Sequence, residues 1–108
     1  NLECDFNNIK YILINEAQFF EDLLIMVTIF VEKYNMHVYI AGLDGDYKKK
    51  KFGQIMDLIP LADDITKLKS KCKCGMPAPF TKRITDENKQ ILVGTCNYEP
   101  TCRKCHNY

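Results

Sequence analysis

Cys72-Lys-Cys74 and Cys102-Arg-Lys-Cys105 are two close cysteine pairs, and four thiolates drawn together in this way suit a tetrahedral zinc site. The second pair has the usual knuckle spacing; the first is one residue tighter, which keeps Cys96 and His106 as substitute ligands. Free thiols or disulfides are the plain alternatives. With four protein ligands such a site is closed, so the metal would be structural and not catalytic. A second candidate is Asn15-Glu16, where an apolar run ends in a polar pair. Glu16 could serve as a base or a metal-associated carboxylate beside a phosphate site, or simply as a first-turn acid behind a helix cap. A third is the run Lys48 to Lys51, which either points into solvent or meets phosphate. Phe19, Phe20, Tyr47 and Phe52 read singly as packing residues, although two of them flank the basic run and allow stacking on a base.

The elements that must position these groups follow from periodicity. Lys10-Tyr-Ile-Leu-Ile14 reads as a buried parallel strand delivering Asn15 and Glu16 to a sheet edge. Apolar residues at Phe20, Leu23, Leu24, Val27, Phe30 and Val31 follow the 3.6-residue period of a helix from Phe20 to Tyr34, with Asn35 at its end. His37 to Gly42 reads as a second strand, so the first half is a right-handed βαβ unit of an α/β fold. Leu43 to Lys51 then forms a loop beyond that strand's carboxyl end, where open α/β sheets hold ligands. Phe52 to Leu61 is expected to be helical before Pro60, and Ile65 to Lys69 to form one more strand. Beyond Ser70 the composition turns to cysteine, proline and short polar stretches. Two modules are therefore expected, 1–70 and 71–108.

A net charge of +1 gives no global field to drive the chain onto nucleic acid or an anionic membrane, so any anion site must be local. The longest apolar run, Leu23 to Val31, is far short of the roughly 20 residues of a membrane span. No secretory leader is recognisable. A domain of this size buries only about 60–65% of its unfolded surface, which makes a metal staple useful. Five of the six cysteines lie beyond residue 71 and Cys4 stands alone, a spread unlike that of a disulfide scaffold and in keeping with reduced thiols in the cytoplasm. The chain opens without Met and enters a strand within ten residues, and reads as the C-terminal part of something longer.

Several blocks of the sequence resemble one family, the type II thymidine kinases of cellular and viral origin. Ile14-Asn-Glu-Ala-Gln-Phe-Phe20 is similar to that family's Asp-Glu-Ala/Gly-Gln-Phe-Phe signature, and Ala41 to Ala62, with Gly-Leu-Asp-Gly-Asp-Tyr-Lys-Lys-Lys-Lys-Phe-Gly at its heart, resembles its central loop and following helix. Phe80-Thr-Lys-Arg83, Val93-Gly94 and Tyr98-Glu-Pro-Thr-Cys-Arg-Lys-Cys-His106 resemble its zinc-bound C-terminal module. The blocks run in the same order over residues 9 to 106.

The resemblance implies a P-loop kinase-like parallel sheet followed by a small zinc ribbon with a substrate-covering lasso loop. It implies ATP-dependent phosphorylation of thymidine to dTMP, with Glu16 as the catalytic base that takes the proton of the nucleoside 5′-hydroxyl. Gln18, Phe19, Leu43, Tyr47, Phe52, Phe80, Thr81, Gln90, Leu92 and Tyr98 match thymidine-site positions, and Cys72, Cys74, Cys102 and Cys105 match the structural Zn2+ ligands. Mg2+ with ATP, feedback inhibition by dTTP, a homotetramer and a cytoplasmic location are implied as well. Neither a membrane nor a nucleic-acid partner is expected. Three departures stand out. Asn15 occupies the position of the family's Walker B aspartate, a neutral group that would hold a magnesium-bound water less well. The first cysteine pair and the stretch between Gly94 and Tyr98 are each a residue short. No Gly-x-x-x-x-Gly-Lys-Ser/Thr occurs in the 108 residues, so this stretch alone is expected to phosphorylate nothing. The competing reading is a catalytically inactive remnant, or an interaction module built on the zinc ribbon.

Overall fold

In a computed structural model of the chain, residues 6–85 and 98–107 are described. They form a small α/β protein with short two-stranded sheets. The contacts divide the chain into two units, one of Asn1–Asp44 with Phe52–Asp63 and one of Gly45–Lys51 with Asp64–Tyr108.

The first unit is built on strands β1 (Tyr11–Ile14) and β2 (His37–Ile40), paired parallel with Ile12 opposite Val38 and Ile14 opposite Ile40. Between them runs helix α1 (Leu23–Thr28), prolonged by a π-helical turn over Ile29–Lys33. The helix begins three residues later than the periodicity predicts. Phe20 is extended and 49% exposed, because a 3-10 turn over Ala17–Phe19 intervenes. Asp22, at the helix start, makes no side-chain cap; the Leu24 N–H donates instead to Gln54 Oε1 at 2.8 Å, satisfying one of the orphan donors of a helix end. The wide turn closes through Tyr34 N–H to Ile29 C=O at 3.3 Å, and Asn35 ends it with φ 52°, the left-handed conformation common after helix C-termini.

Ala17, Leu23, Val27 and Leu58 form the buried core, flanked by half-buried Ile14, Leu24, Val31, Val38, Ile40, Ile55 and Leu61. Period two in the strands places Ile12, Ile14, Val38 and Ile40 on the covered face. The opposite face differs from the expected doubly buried sheet. There Tyr11 (60%), Leu13 (78%) and Tyr39 (59%) are exposed, because among the described residues nothing lies over it.

The segment Ile55–Leu61 forms 3-10 turns through Pro60 rather than a helix ending before it. The turns close through Asp57 N–H to Gln54 C=O and Ala62 N–H to Ile59 C=O, neither of which needs the nitrogen that proline lacks.

The second unit holds β3 (Ser70–Lys71) paired antiparallel with β4 (Pro77–Ala78), β5 (Phe80–Arg83) paired antiparallel with β6 (Tyr98–Thr101), and the short helix α2 (Arg103–His106). The strand expected over Ile65–Lys69 does not form. Those residues are exposed and unpaired in any ladder, so the β-rich side chains of Ile65 and Leu68 have no neighbouring strand to support them. No described helix is long and apolar enough to cross a membrane.

Leu58 is the one buried side chain that the Ile55–Leu61 turns contribute to the core. Leu58→Ala should therefore cost about 2–4 kcal/mol of unfolding free energy, read as a lower urea midpoint in chemical denaturation.

Candidate functional site

At the carboxyl end of β1 the chain turns sharply. Glu16 adopts φ 53°, ψ 44°, a left-handed conformation that costs a non-glycine residue roughly 1 kcal/mol or more. The turn is held because Ala17 N–H donates to Ala41 C=O at 3.1 Å and Ala41 N–H to Ile14 C=O at 2.9 Å. It leaves the Glu16 carboxylate exposed and buries the next residue but one, Gln18, to 4%.

The Gln18 amide is used at both ends. Its Nε2 donates to Glu16 Oε2 at 2.7 Å, and its Oε1 accepts from the Leu43 N–H at 3.0 Å. Two glycines make room for it. A Cβ on Gly42 would lie 2.5 Å from Gln18 Oε1, and one on Gly53, whose φ is +62°, would run into the Gln18 carbonyl. Phe52 is buried and meets Phe19 edge-on, with centroids 5.7 Å apart. Phe19 and Leu43 remain 48% and 44% exposed. Glu16, Gln18, Phe19, Leu43 and Phe52 thus come together in the first unit: a positioned carboxylate beside an amide and an accessible apolar surface.

In the second unit the basic loop is ordered by a side chain that the sequence reading passed over. Asp46 is buried, and its Oδ1 accepts from the N–H groups of Lys48 and Lys50 at 2.8 and 2.9 Å. Gly45 and Lys51 close the loop as an antiparallel bridge. The signal was present in Asp44-Gly-Asp46, since aspartate readily holds the backbone two residues on. The loop presents Tyr47 to Arg83, whose guanidinium carbon lies 3.8 Å from the Tyr47 ring centroid, and Arg83 Nη2 donates to the Tyr98 hydroxyl at 2.7 Å. Phe80 is half-buried and meets the His106 ring at 6.0 Å; His106 Nε2 lies 2.7 Å from the Tyr47 carbonyl oxygen and 3.2 Å from that of Thr81. Tyr47, Phe80, Thr81 and Tyr98 are thus neighbours within this unit. Gln90, Leu92 and Cys96 lie outside the described residues.

The sulfurs of Cys72, Cys74, Cys102 and Cys105 all lie within 4.8 Å of one another, and none of the four is in a disulfide. Tetrahedral zinc with bonds near 2.3 Å separates its sulfurs by about 3.8 Å; Cys74 and Cys102 are 3.6 Å apart. The set could hold a structural metal ion, and thiolate donors suit zinc. The tight first pair is accommodated by a knuckle in which Cys72 N–H donates to Met76 C=O and Gly75 N–H to Cys72 C=O, both at 2.9 Å, with Gly75 at φ +92°. His106, kept as a substitute ligand, is engaged instead with the two carbonyls.

The thiols are biased in opposite directions, Cys72 and Cys102 toward the charged form and Cys105 toward the neutral one. Backbone N–H groups of Cys74 and Cys102 lower Cys72 from 9.0 to about 6. The Cys105 N–H lowers Cys102, while Cys105, facing the sulfurs of Cys102, Cys72 and Cys74, is pushed up to about 12. Four sulfurs this close cannot all ionise without a cation among them.

A family model described as thymidine kinase matches residues 2–106. The chain belongs to the thymidine kinase family. It is 46% identical over 101 residues to a thymidine kinase of Oryza sativa subsp. japonica, covering 92% of this chain and 37% of that protein. It is 42% identical to thymidine kinase a of Arabidopsis thaliana (92% and 42% covered) and 42% identical to a thymidine kinase of Bacteroides thetaiotaomicron (93% and 51% covered). The chain spans about half, or less, of the length of these curated relatives.

Serine at Cys102 removes both a member of the sulfur set and the thiol that caps α2, where Cys102 Sγ accepts from Cys105 N–H at 3.5 Å. Cys102→Ser should abolish stoichiometric metal and lower the melting temperature, read by metal analysis and a thermal scan. Metal content should also be pH-dependent. Thiolates and not thiols hold the ion, so metal measured after gel filtration is retained at neutral pH and falls as acid protonates the sulfurs and displaces it.

Proposed function

We propose that the complete protein phosphorylates thymidine to dTMP with ATP, and that this chain supplies the catalytic base, much of the thymidine-lining surface and a structural zinc site. The observation that carries the reading is the Glu16 carboxylate, held at the end of β1 in a strained backbone conformation and oriented by the Gln18 amide. A hydroxyl is a weak nucleophile, and a carboxylate within hydrogen-bond reach both aligns it and accepts its proton. In this reading the thymidine 5′-oxygen attacks the γ-phosphorus of ATP, the bond to the β–γ bridging oxygen breaks with ADP leaving, and Glu16 takes the hydroxyl proton. Gln18 keeps Glu16 from swinging away from the nucleophile. Phe19, Leu43 and Phe52, together with Tyr47, Phe80, Thr81, Gln90, Leu92 and Tyr98, are assigned to the thymine and sugar surface. Exposed Phe19 and Leu43 fit that role, since accessible apolar side chains are what a base would cover.

Residues 1–70 are read as part of a P-loop kinase domain and 71–108 as a zinc ribbon with its lasso. ATP phosphates would be cradled by a P-loop outside these residues, so the chain by itself does not turn over. The open apolar face of Tyr11, Leu13 and Tyr39 supports further chain packing on β1 and β2 in the complete protein. Magnesium enters with ATP and neutralises phosphate charge. Asn15 offers it only a neutral amide oxygen, a weaker partner than the aspartate the family carries there. A cytoplasmic homotetramer under feedback from dTTP completes the proposal. Asn15 also favours a second reading, an inactive remnant retained for its ribbon.

Two substitutions in the full-length protein separate these readings. Glu16→Gln should lower kcat about 100- to 10 000-fold while the circular dichroism spectrum stays unchanged; an unaltered rate would remove Glu16 as the base. Asn15→Asp should lower the magnesium concentration for half-maximal rate. Absence of thymidine-dependent turnover in a folded, zinc-loaded wild-type protein, restored by Asn15→Asp, would establish the remnant.

A further inference from the structure

Although it follows β2 in sequence, the loop Gly45–Lys51 groups with the unit that carries the cysteines. The contacts that hold it there converge on one residue. The Tyr47 ring packs on Arg83, with 3.8 Å between its centroid and the guanidinium carbon, a stacking distance for two planar groups. The Tyr47 carbonyl oxygen lies 2.7 Å from His106 Nε2, which is also 3.2 Å from the Thr81 carbonyl oxygen. Both neighbours can only accept, so Nε2 carries the proton and donates to each. Ring and backbone of Tyr47 are therefore restrained by separate side chains, one from β5 and one from α2.

Arg83 is only 8% exposed, and its position is fixed from a second side. Nη2 donates to the Tyr98 hydroxyl at 2.7 Å, and the Tyr98 ring centroid lies 5.2 Å from the guanidinium carbon. A largely buried guanidinium is costly to desolvate, and here it joins the central loop, β5 and β6 through two tyrosines. His106 likewise joins the loop to β5. Lysine could not replace the planar fork that stacks on one ring and donates to the other tyrosine.

We propose that Arg83 and His106 are positioning residues for Tyr47, and that through Tyr98 and Thr81 they set the thymidine-lining surface of this unit. The inference rests on the reading of Tyr47, Thr81 and Tyr98 as substrate residues. Neither positioning residue touches the substrate; each acts through the residues it holds.

The test uses the full-length protein with Arg83→Met, Arg83→Lys and His106→Phe, each made also in a Tyr47→Leu background. Arg83→Met and His106→Phe are expected to raise the KM for thymidine about tenfold and to leave the KM for ATP and the zinc content unchanged. Arg83→Lys should not restore the wild-type value. In the Tyr47→Leu background the same changes should add little, because the shared contact is already gone. The loop itself carries an assay that needs no turnover. Trypsin should cut after Lys48 to Lys51 faster in Arg83→Met and His106→Phe than in wild type, with the rest of the chain intact.

Unchanged loop cleavage with an unchanged thymidine KM would overturn the proposal, as would a parallel rise in both KM values or a loss of zinc, which mark a general structural role. Faster loop cleavage with no change in thymidine KM would uphold the positioning and remove Tyr47 from the substrate surface. Should Arg83→Met fail to fold, His106→Phe, which keeps a ring against Phe80, carries the same outcomes.

Discussion

The buried amide of Gln18 is the constraint around which the first unit is arranged. A buried polar side chain must find partners at both ends or lose the stability its solvation would have provided. Gln18 finds them in the Glu16 carboxylate and the Leu43 N–H. That choice dictates its surroundings. Gly42 has no room for a side chain because Gln18 Oε1 and Ile55 Cδ1 stand each 2.5 Å from where a Cβ would be. Gly53 has no room because the Gln18 carbonyl is there, and its positive φ turns the chain so that Phe52 is buried and Gln54 reaches the start of α1. The strained Glu16 sits beside this amide, and the carboxylate is aimed by the same hydrogen bond that satisfies the glutamine.

The second unit solves a different problem. Its strands are short and its buried apolar residues few, so connectivity substitutes for a core. Four sulfurs gather the knuckle after β3 and the start of α2. Asp46 folds the lysine loop, while Arg83 and His106 hold that loop to β5 and β6. Lys73 and Glu99 add an ion pair at 2.9 Å, worth little on an exposed surface. Polar groups thus set the geometry where apolar area is too small to do so, and polar contacts are directional. A loop fixed by them has one shape rather than a range.

The alternation and spacing of apolar residues made β1, α1 and β2 legible, because burial on one face leaves a periodic trace. The parallel pairing followed from the crossover length, and the left-handed Asn35 matched a helix end. The cysteine set was legible for a similar reason: metal ligands must come in close pairs, whatever surrounds them. Boundaries were less so. Nothing local indicates that the helix starts only at Leu23, since its first turn is completed by Gln54, thirty residues from the Leu24 N–H that it accepts. Ile65 to Lys69 has strand-like residues and no strand, because a strand is completed only by a neighbour.

What the residues alone determined was the inventory: an α/β half, a cysteine-rich half, a carboxylate after a strand and the motifs of the thymidine kinase family. How Glu16 is aimed, why Gly42 and Gly53 are glycine, and which unit holds the lysine loop were decided only in three dimensions. Periodicity and spacing record contacts made within an element. The Leu43 N–H that Gln18 accepts from and the partners of Arg83 and His106 lie on other elements, and a single hydrogen bond or stack across such a distance leaves no pattern in the chain.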